Sequence, residues 1–258
     1  MSSPTPIGDP VIWYSIRMGK LSIVATPIGN LEDITIRAIK TLFSADIILC
    51  EDTRRGGLLF HELNERYGEL FDQNPDWKPI FTTYYDEIEE KKLPELIELL
   101  QNDKHLALIS DAGTPLISDP GFRLVRECMK RNIVVESIPG PSAVIAALTS
   151  SGLPTSSFQF FGYPHEKQAK RLKQFESVFQ CFKTSEQHIT SIYYVAPHKL
   201  QQTLEDLKNV FGDIEIVLAR ELTKLHEQIW KGNLSTAITV FNDPKGEFVL
   251  LFTLTSKT

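Results

Sequence analysis

The sequence predicts an α/β protein built as two α/β domains with mostly parallel or mixed sheets. Three observations carry this. From residue 20 onwards short apolar runs alternate with helical patterns, which is the signature of successive β-α-β units. The segment Ile138-Pro139-Gly140-Pro141 makes a stiff link between two blocks of similar length. Several strand candidates run into loops of Gly, Pro and short polar residues, the place where α/β sheets bind ligands.

The first block holds strand candidates at residues 20–25, 47–50, 79–82, 106–109 and 134–138. Helical patterns lie between them at 34–43, 57–65, 92–102 and 122–131. This alternation predicts a mostly parallel sheet with helices on both faces. Residues 68–78, with Asn74-Pro75-Asp76, read as a surface excursion. The second block predicts helices at 142–150, 167–182 and 199–211, and strands at 158–161, 191–195, 214–219 and 248–254. The expected organisation is a flexible extension (residues 1–18) followed by domains at 19–138 and 139–258.

A chain of 258 residues is long enough for two such cores. Its 42% hydrophobic content is ordinary for a globular protein. No apolar run reaches the roughly 18 residues needed to cross a bilayer, and the Pro- and Ser-rich start lacks a secretory pattern. Cys50, Cys128 and Cys181 are far apart and odd in number, which argues against a disulfide framework or a zinc site and fits a reducing cytoplasm. No pair of histidines has metal-ligand spacing, so no metal is expected. A net charge of −6 argues against a generally basic nucleic-acid protein but allows local basic patches.

The most informative stretch is Ser110-Asp111-Ala112-Gly113-Thr114-Pro115-Leu116-Ile117-Ser118-Asp119-Pro120-Gly121. It follows an apolar strand and precedes a helix, and it bends at two X-Pro and two Gly positions. Backbone groups, short hydroxyl side chains and two carboxylates there describe one wall of a small-molecule pocket. Thr26-Pro27-Ile28-Gly29-Asn30 closes the first strand as a turn or a ligand loop, and it is not a GxGxxG fingerprint. Glu51-Asp52-Thr53-Arg54-Arg55 follows the second strand. It either positions a polar, phosphate-bearing substrate or is a solvated turn with internal ion pairs. Pro139-Gly140-Pro141-Ser142 leads into a helix N-terminus, as a hinge or a ligand contact. Arg220-Glu221-Leu222-Thr223-Lys224 closes a late strand, and His198 follows Ala196-Pro197 as a substrate-contact candidate.

These motifs, with Ser151-Gly152-Leu153-Pro154 and Lys245-Gly246-Glu247-Phe248, occur in one order from residue 20 to about residue 252. The ordered set resembles the tetrapyrrole-methylase-like family of S-adenosylmethionine-dependent (class III) methyltransferases. Within that family it is most similar to members that methylate the ribose 2′-oxygen of a decoding-centre cytidine in small-subunit rRNA. The resemblance implies S-adenosylmethionine as cofactor, held in the cleft between two α/β domains, usually in a homodimer. It implies donor contacts at Pro27, Ile28 and Gly29; at Ser110, Asp111, Ala112, Gly113 and Thr114; and at Pro139, Gly140, Pro141 and Ser142. Glu51, Asp52 and Arg54 are the catalytic candidates. Arg55, Lys170, Arg171, His198, Lys199, Arg220, Glu221 and Lys224 are the substrate-binding candidates, with residues 167–173 as the expected RNA edge. Leu116 stands where the family pattern usually has Gly.

Two other readings predict different behaviour. A methylase of a small tetrapyrrole-like molecule needs a wide apolar acceptor cleft and no RNA. A non-catalytic module binds the donor and transfers nothing.

Overall fold

The computed structural model describes residues 19–71, 77–184 and 188–254. The expected N-terminal extension and Asn74-Pro75-Asp76 lie outside the described residues.

The first sheet is formed by β1 (Lys20–Val24), β2 (Ile47–Cys50), β3 (Ile80–Thr83), β4 (His105–Leu108) and β5 (Val134–Ile138). Its order is β3-β2-β4-β1-β5, with every pairing parallel. Side chains alternate across the strands, and both faces are apolar. Ile48 and Cys50 point to α1 (Ile36–Ser44) and α2 (Thr53–Tyr67). Ile47 and Leu49 point to α3 (Asp86–Gln101) and α4 (Phe122–Lys130). Helices on both faces are what a parallel sheet requires to bury its two apolar sides.

After α5 (Ala143–Ser150), the second sheet is built from β6 (Phe158–Phe160), β7 (Thr190–Val195), β8 (Glu215–Arg220), β9 (Gln228–Asn233) and β10 (Phe248–Phe252), with order β6-β7-β10-β8-β9. Only β6 and β7 pair in parallel; β10 runs antiparallel to both neighbours, and β9 antiparallel to β8. One face packs α6 (Gln168–Thr184), α7 (Leu200–Phe211) and α8 (Leu234–Val240) around an aromatic core of Phe175, Tyr193, Phe211 and Phe252. The other face takes Val144, Ala147 and Leu148 of α5 together with Ile28 and Leu222. Ile28 belongs to the loop after β1, so this cluster fastens the first sheet's loops to the second sheet.

The helices begin earlier than the sequence pattern indicates in two places. α2 starts at Thr53 because the Asp52 side chain accepts the Arg54 N–H and caps it. α3 starts at Asp86, where Asp86, Glu87 and Glu89 oppose the positive end of the helix dipole. β9 and α8 were not expected. β9 is a half-exposed edge strand without clean alternation, and α8 has only seven residues. No helix among the described residues is long and apolar enough to cross a membrane.

Candidate active site

Three loops predicted to share a ligand are stapled together by hydrogen bonds. Thr26 and Gly113 form an antiparallel bridge, with Thr26 N–H donating to Gly113 O (2.8 Å) and Gly113 N–H donating to Thr26 O (3.0 Å). The Thr26 hydroxyl donates to Ser110 O at 3.1 Å. The Thr114 hydroxyl donates to Pro141 O at 2.9 Å. Gly113 has φ +87°, and a Cβ there would sit 3.1 Å from Ile28 Cγ2. The bridge therefore needs a glycine.

These loops form one side of a cavity of about 350 Å³ between the two sheets. Ile28, Asp111, Ala112, Thr114 and Ser142 line it from the first side, beside Glu51 and Asp119. The ends of β7, β8 and β10 supply the second side through Tyr194, Val195 and Ala196, Ala219 and Leu222, and Glu247. Tyr163 packs edge-to-face on Tyr194 (5.6 Å between ring centres), which in turn meets Phe160 at 4.8 Å. Pro27, Gly29 and Ser110 line a second cavity of about 230 Å³, and Asp111 lines both. Gly113, Pro139, Gly140 and Pro141 border neither cavity and act as backbone scaffold.

Carboxylates dominate the electrostatics. Burial, with Asp119, Asp111 and Asp86 nearby, raises Glu51 above the ordinary glutamate range. Burial, with Asp111 and Asp86, lifts Asp119 from 3.8 to about 6, against a lowering hydrogen bond from Ser110. Asp119 was legible in sequence only as part of its loop; its place in the cavity is a result of the fold.

Several candidates stand elsewhere than expected. Asp52 and Arg54 line neither cavity. They form a local ion pair (2.9 Å) that holds Asp52 down at about 2, and Asp52 caps α2. Arg55 instead reaches Asp111, with Nη1 to Oδ2 at 2.7 Å. Arg171 is not on an RNA-facing surface. It is buried, paired with Asp206 at 2.6 Å, and it donates to His165 O and Glu166 O. The helical period turns it inward while Lys167, Lys170 and Lys173 stay exposed. Arg220 donates to Lys245 O, and Lys224 reaches Glu221 and Glu247 at 3.0 and 2.9 Å. Lys224 packs over Gly29, where a Cβ would collide with Lys224 Cγ. Lys224, held by Glu221 and Glu247, thus braces the 27–29 turn, while Arg220 ties the end of β8 to Lys245. His198 is exposed and Lys199 half-buried, directly after the cavity-lining Pro197.

Leu116 has φ +71° and Ser118 φ +67°. The loop keeps a left-handed turn there, and Leu116 offsets the strain by packing against the core beneath β4.

A two-sheet α/β fold with a loop-walled, acid-rich cleft at the strand ends is that of a class III methyltransferase. The family model for tetrapyrrole (corrin/porphyrin) methylases matches residues 20–238, and the chain belongs to that family. It is 40% identical over 237 residues to "Ribosomal RNA small subunit methyltransferase I" of Thermotoga maritima, covering 91% of this chain and 98% of the relative. It is 44% identical over 237 residues to the protein of that name from Synechocystis sp., covering 91% and 78%. Uroporphyrin-III C-methyltransferase from Thermus thermophilus, solved with S-adenosylhomocysteine, shares the fold at 15% identity. Its TM-score is 0.59, over 90% of this chain and 97% of the other.

Proposed function

We propose that this chain is an S-adenosylmethionine-dependent methyltransferase acting on the ribose 2′-oxygen of a cytidine in the decoding centre of small-subunit (16S) rRNA. On this reading it is a cytoplasmic homodimer with domains at residues 19–138 and 139–258. The observation that carries it is the 350 Å³ cleft. One wall is stapled backbone, the other is apolar and aromatic, and acid groups lie between them. The names of the relatives supply the acceptor class.

The cleft fits the donor. Gly113 lets the 26–29 and 110–114 loops approach closely. Tyr194, Val195, Ala196 and Ala219 offer an apolar seat for an adenine ring. Glu51, Asp111 and Asp119 place negative charge where a sulfonium cation would lie. S-adenosylmethionine, when bound, supplies an electrophilic methyl group.

Everything else falls to the chain. The stapled loops fix orientation, and alignment of the two reactants accounts for much of the acceleration in such transfers. A ribose hydroxyl is a weak nucleophile and must lose its proton. Glu51 and Asp119 face the same cavity and, with raised proton affinity, take that proton on a carboxylate oxygen. The exposed Lys170 and His198 and the half-buried Lys199 are positions for phosphate contacts outside the cleft.

The test is methyl transfer from labelled donor to purified, undermethylated small ribosomal subunits, beside naked rRNA and porphyrin precursors, with S-adenosylhomocysteine binding followed by calorimetry. Labelling of subunit RNA is expected. Donor binding with no RNA labelling overturns the assignment.

A further inference from the structure

The second cavity, of about 230 Å³, adjoins the first and shares Asp111 with it. Neighbouring residues face the two cavities in turn. Cys50 lines the second cavity and Glu51 the first; Ser110 lines the second and Ala112 the first; Asp111 lines both. The floor of the second cavity is apolar (Leu31, Cys50, Leu59, Ile109), and its rim carries the Arg55–Asp111 ion pair. At this volume it falls below the ~300–1,000 Å³ of a pocket for a whole drug-sized ligand, so it suits a fragment such as one base with its sugar.

We propose that this second cavity is the acceptor subsite, taking one extruded nucleotide of the RNA with Arg55 on its phosphate. The inference rests on the RNA methyltransferase reading above and adds a place for the acceptor. In-line transfer brings reacting atoms to about 3–3.5 Å, so donor and acceptor must touch where the two cavities join, and Asp111, which lines both, marks that junction. An apolar floor accepts the flat face of a base removed from its stack.

Arg55 is held weakly enough to change partners. Its side chain is 70% exposed and that of Asp111 30%, and exposed ion pairs contribute little. A phosphate offers the guanidinium a bidentate partner of higher charge. When Arg55 moves to it, the Asp111 carboxylate loses its cation while still facing the donor cavity, where a sulfonium replaces it. Acceptor binding thereby strengthens donor binding, and the coupling is reciprocal.

The experiment fills the cavity. Leu59→Trp, with Leu31→Trp as an independent second filling, is compared with wild type for melting temperature, S-adenosylhomocysteine affinity by calorimetry, and methyl transfer to undermethylated small subunits. We expect folded variants whose transfer falls at least 100-fold while the S-adenosylhomocysteine Kd stays within two-fold. Arg55→Gln should flatten the salt dependence of subunit binding by about one unit of slope and abolish the tightening by subunits of sinefungin, a donor analogue that carries an ammonium where the donor has its sulfonium. A folded, filled variant that transfers normally overturns the proposal, as does parallel loss of donor affinity, which would assign the cavity to the donor. Failure of wild type to label subunits overturns the functional reading, a different result from normal wild-type transfer that filling leaves unchanged.

Discussion

Arg171 Nη2 lies 2.6 Å from Asp206 Oδ2, and both side chains are almost fully buried, at 2% and 1% exposure. The pair joins α6 to α7; Arg171 Nε also donates to Asp206 Oδ2 at 2.8 Å, and Gln168 donates to Asp206 Oδ1 at 2.8 Å. Arg171 also holds the carbonyls of His165 and Glu166, two and three residues beyond Tyr163 at the cavity wall. Breaking one partner of such a pair leaves a buried charge and costs about 3–5 kcal/mol. Arg171→Ala is therefore expected to lose that much in urea unfolding, and Arg171→Met with Asp206→Leu to recover most of it. A loss under 1 kcal/mol in the single variant would show the pair to be dispensable.

The cavity acids set a pH dependence. Asp119 has a folded value near 6 against an ordinary 3.8. Between these values the folded state holds more proton than the unfolded one, so stability falls as pH rises from about 4 to 6 and then levels. Asp119→Asn should flatten that part of a melting-temperature profile. Its wild-type counterpart in catalysis is a transfer rate that climbs through pH 6 as the carboxylate ionises. A rate independent of pH from 5 to 8 would remove Asp119 as proton acceptor.

Glu51 and Asp52 are adjacent in sequence but differ in role. Glu51→Gln should lower the transfer rate at least 100-fold with S-adenosylhomocysteine affinity kept. Asp52→Ala removes the α2 cap and the Arg54 partner, so it should reduce melting temperature modestly and leave the rate per folded molecule unchanged. The reverse pattern would return catalysis to Asp52.

Gly121 closes the long loop at φ +128°, and a Cβ there would lie 2.6 Å from Leu108 Cδ2. Gly121→Ala should cost about 1–2 kcal/mol in conformation and about 1–3 kcal/mol in overpacking. It should also weaken donor binding, because the loop carries Asp111, Ala112 and Thr114. Unchanged stability would contradict the geometry.

Much of this site was legible because it depends on backbone. Gly113, Pro141 and the short hydroxyls of Thr26 and Thr114 identify loops, and those loops are tied to one another. Side-chain direction was less legible. Arg171 sits in a lysine-rich run that reads as a basic face, yet the helical turn buries it; its signal lay in Asp206, the buried acid of α7. Arg54 and Asp52 satisfy each other locally, which no spacing distinguishes from a substrate clamp. Asp119, Tyr163 and Glu247 meet across 128 residues of sequence, and only the packing of the second sheet on Ile28 brings them together. β9 is not legible in the sequence because an edge strand that is partly exposed on both faces has no clean hydrophobic period.

The central claim is that this cleft methylates a ribose of ribosomal RNA. It is tested most directly by incubating undermethylated small subunits with isotopically labelled S-adenosylmethionine and wild-type protein, digesting the RNA, and identifying the labelled nucleoside by mass spectrometry. The account predicts a single labelled product, 2′-O-methylcytidine, which disappears with Glu51→Gln. Label on a base carbon or nitrogen, or label transferred only to a porphyrin precursor, would contradict it.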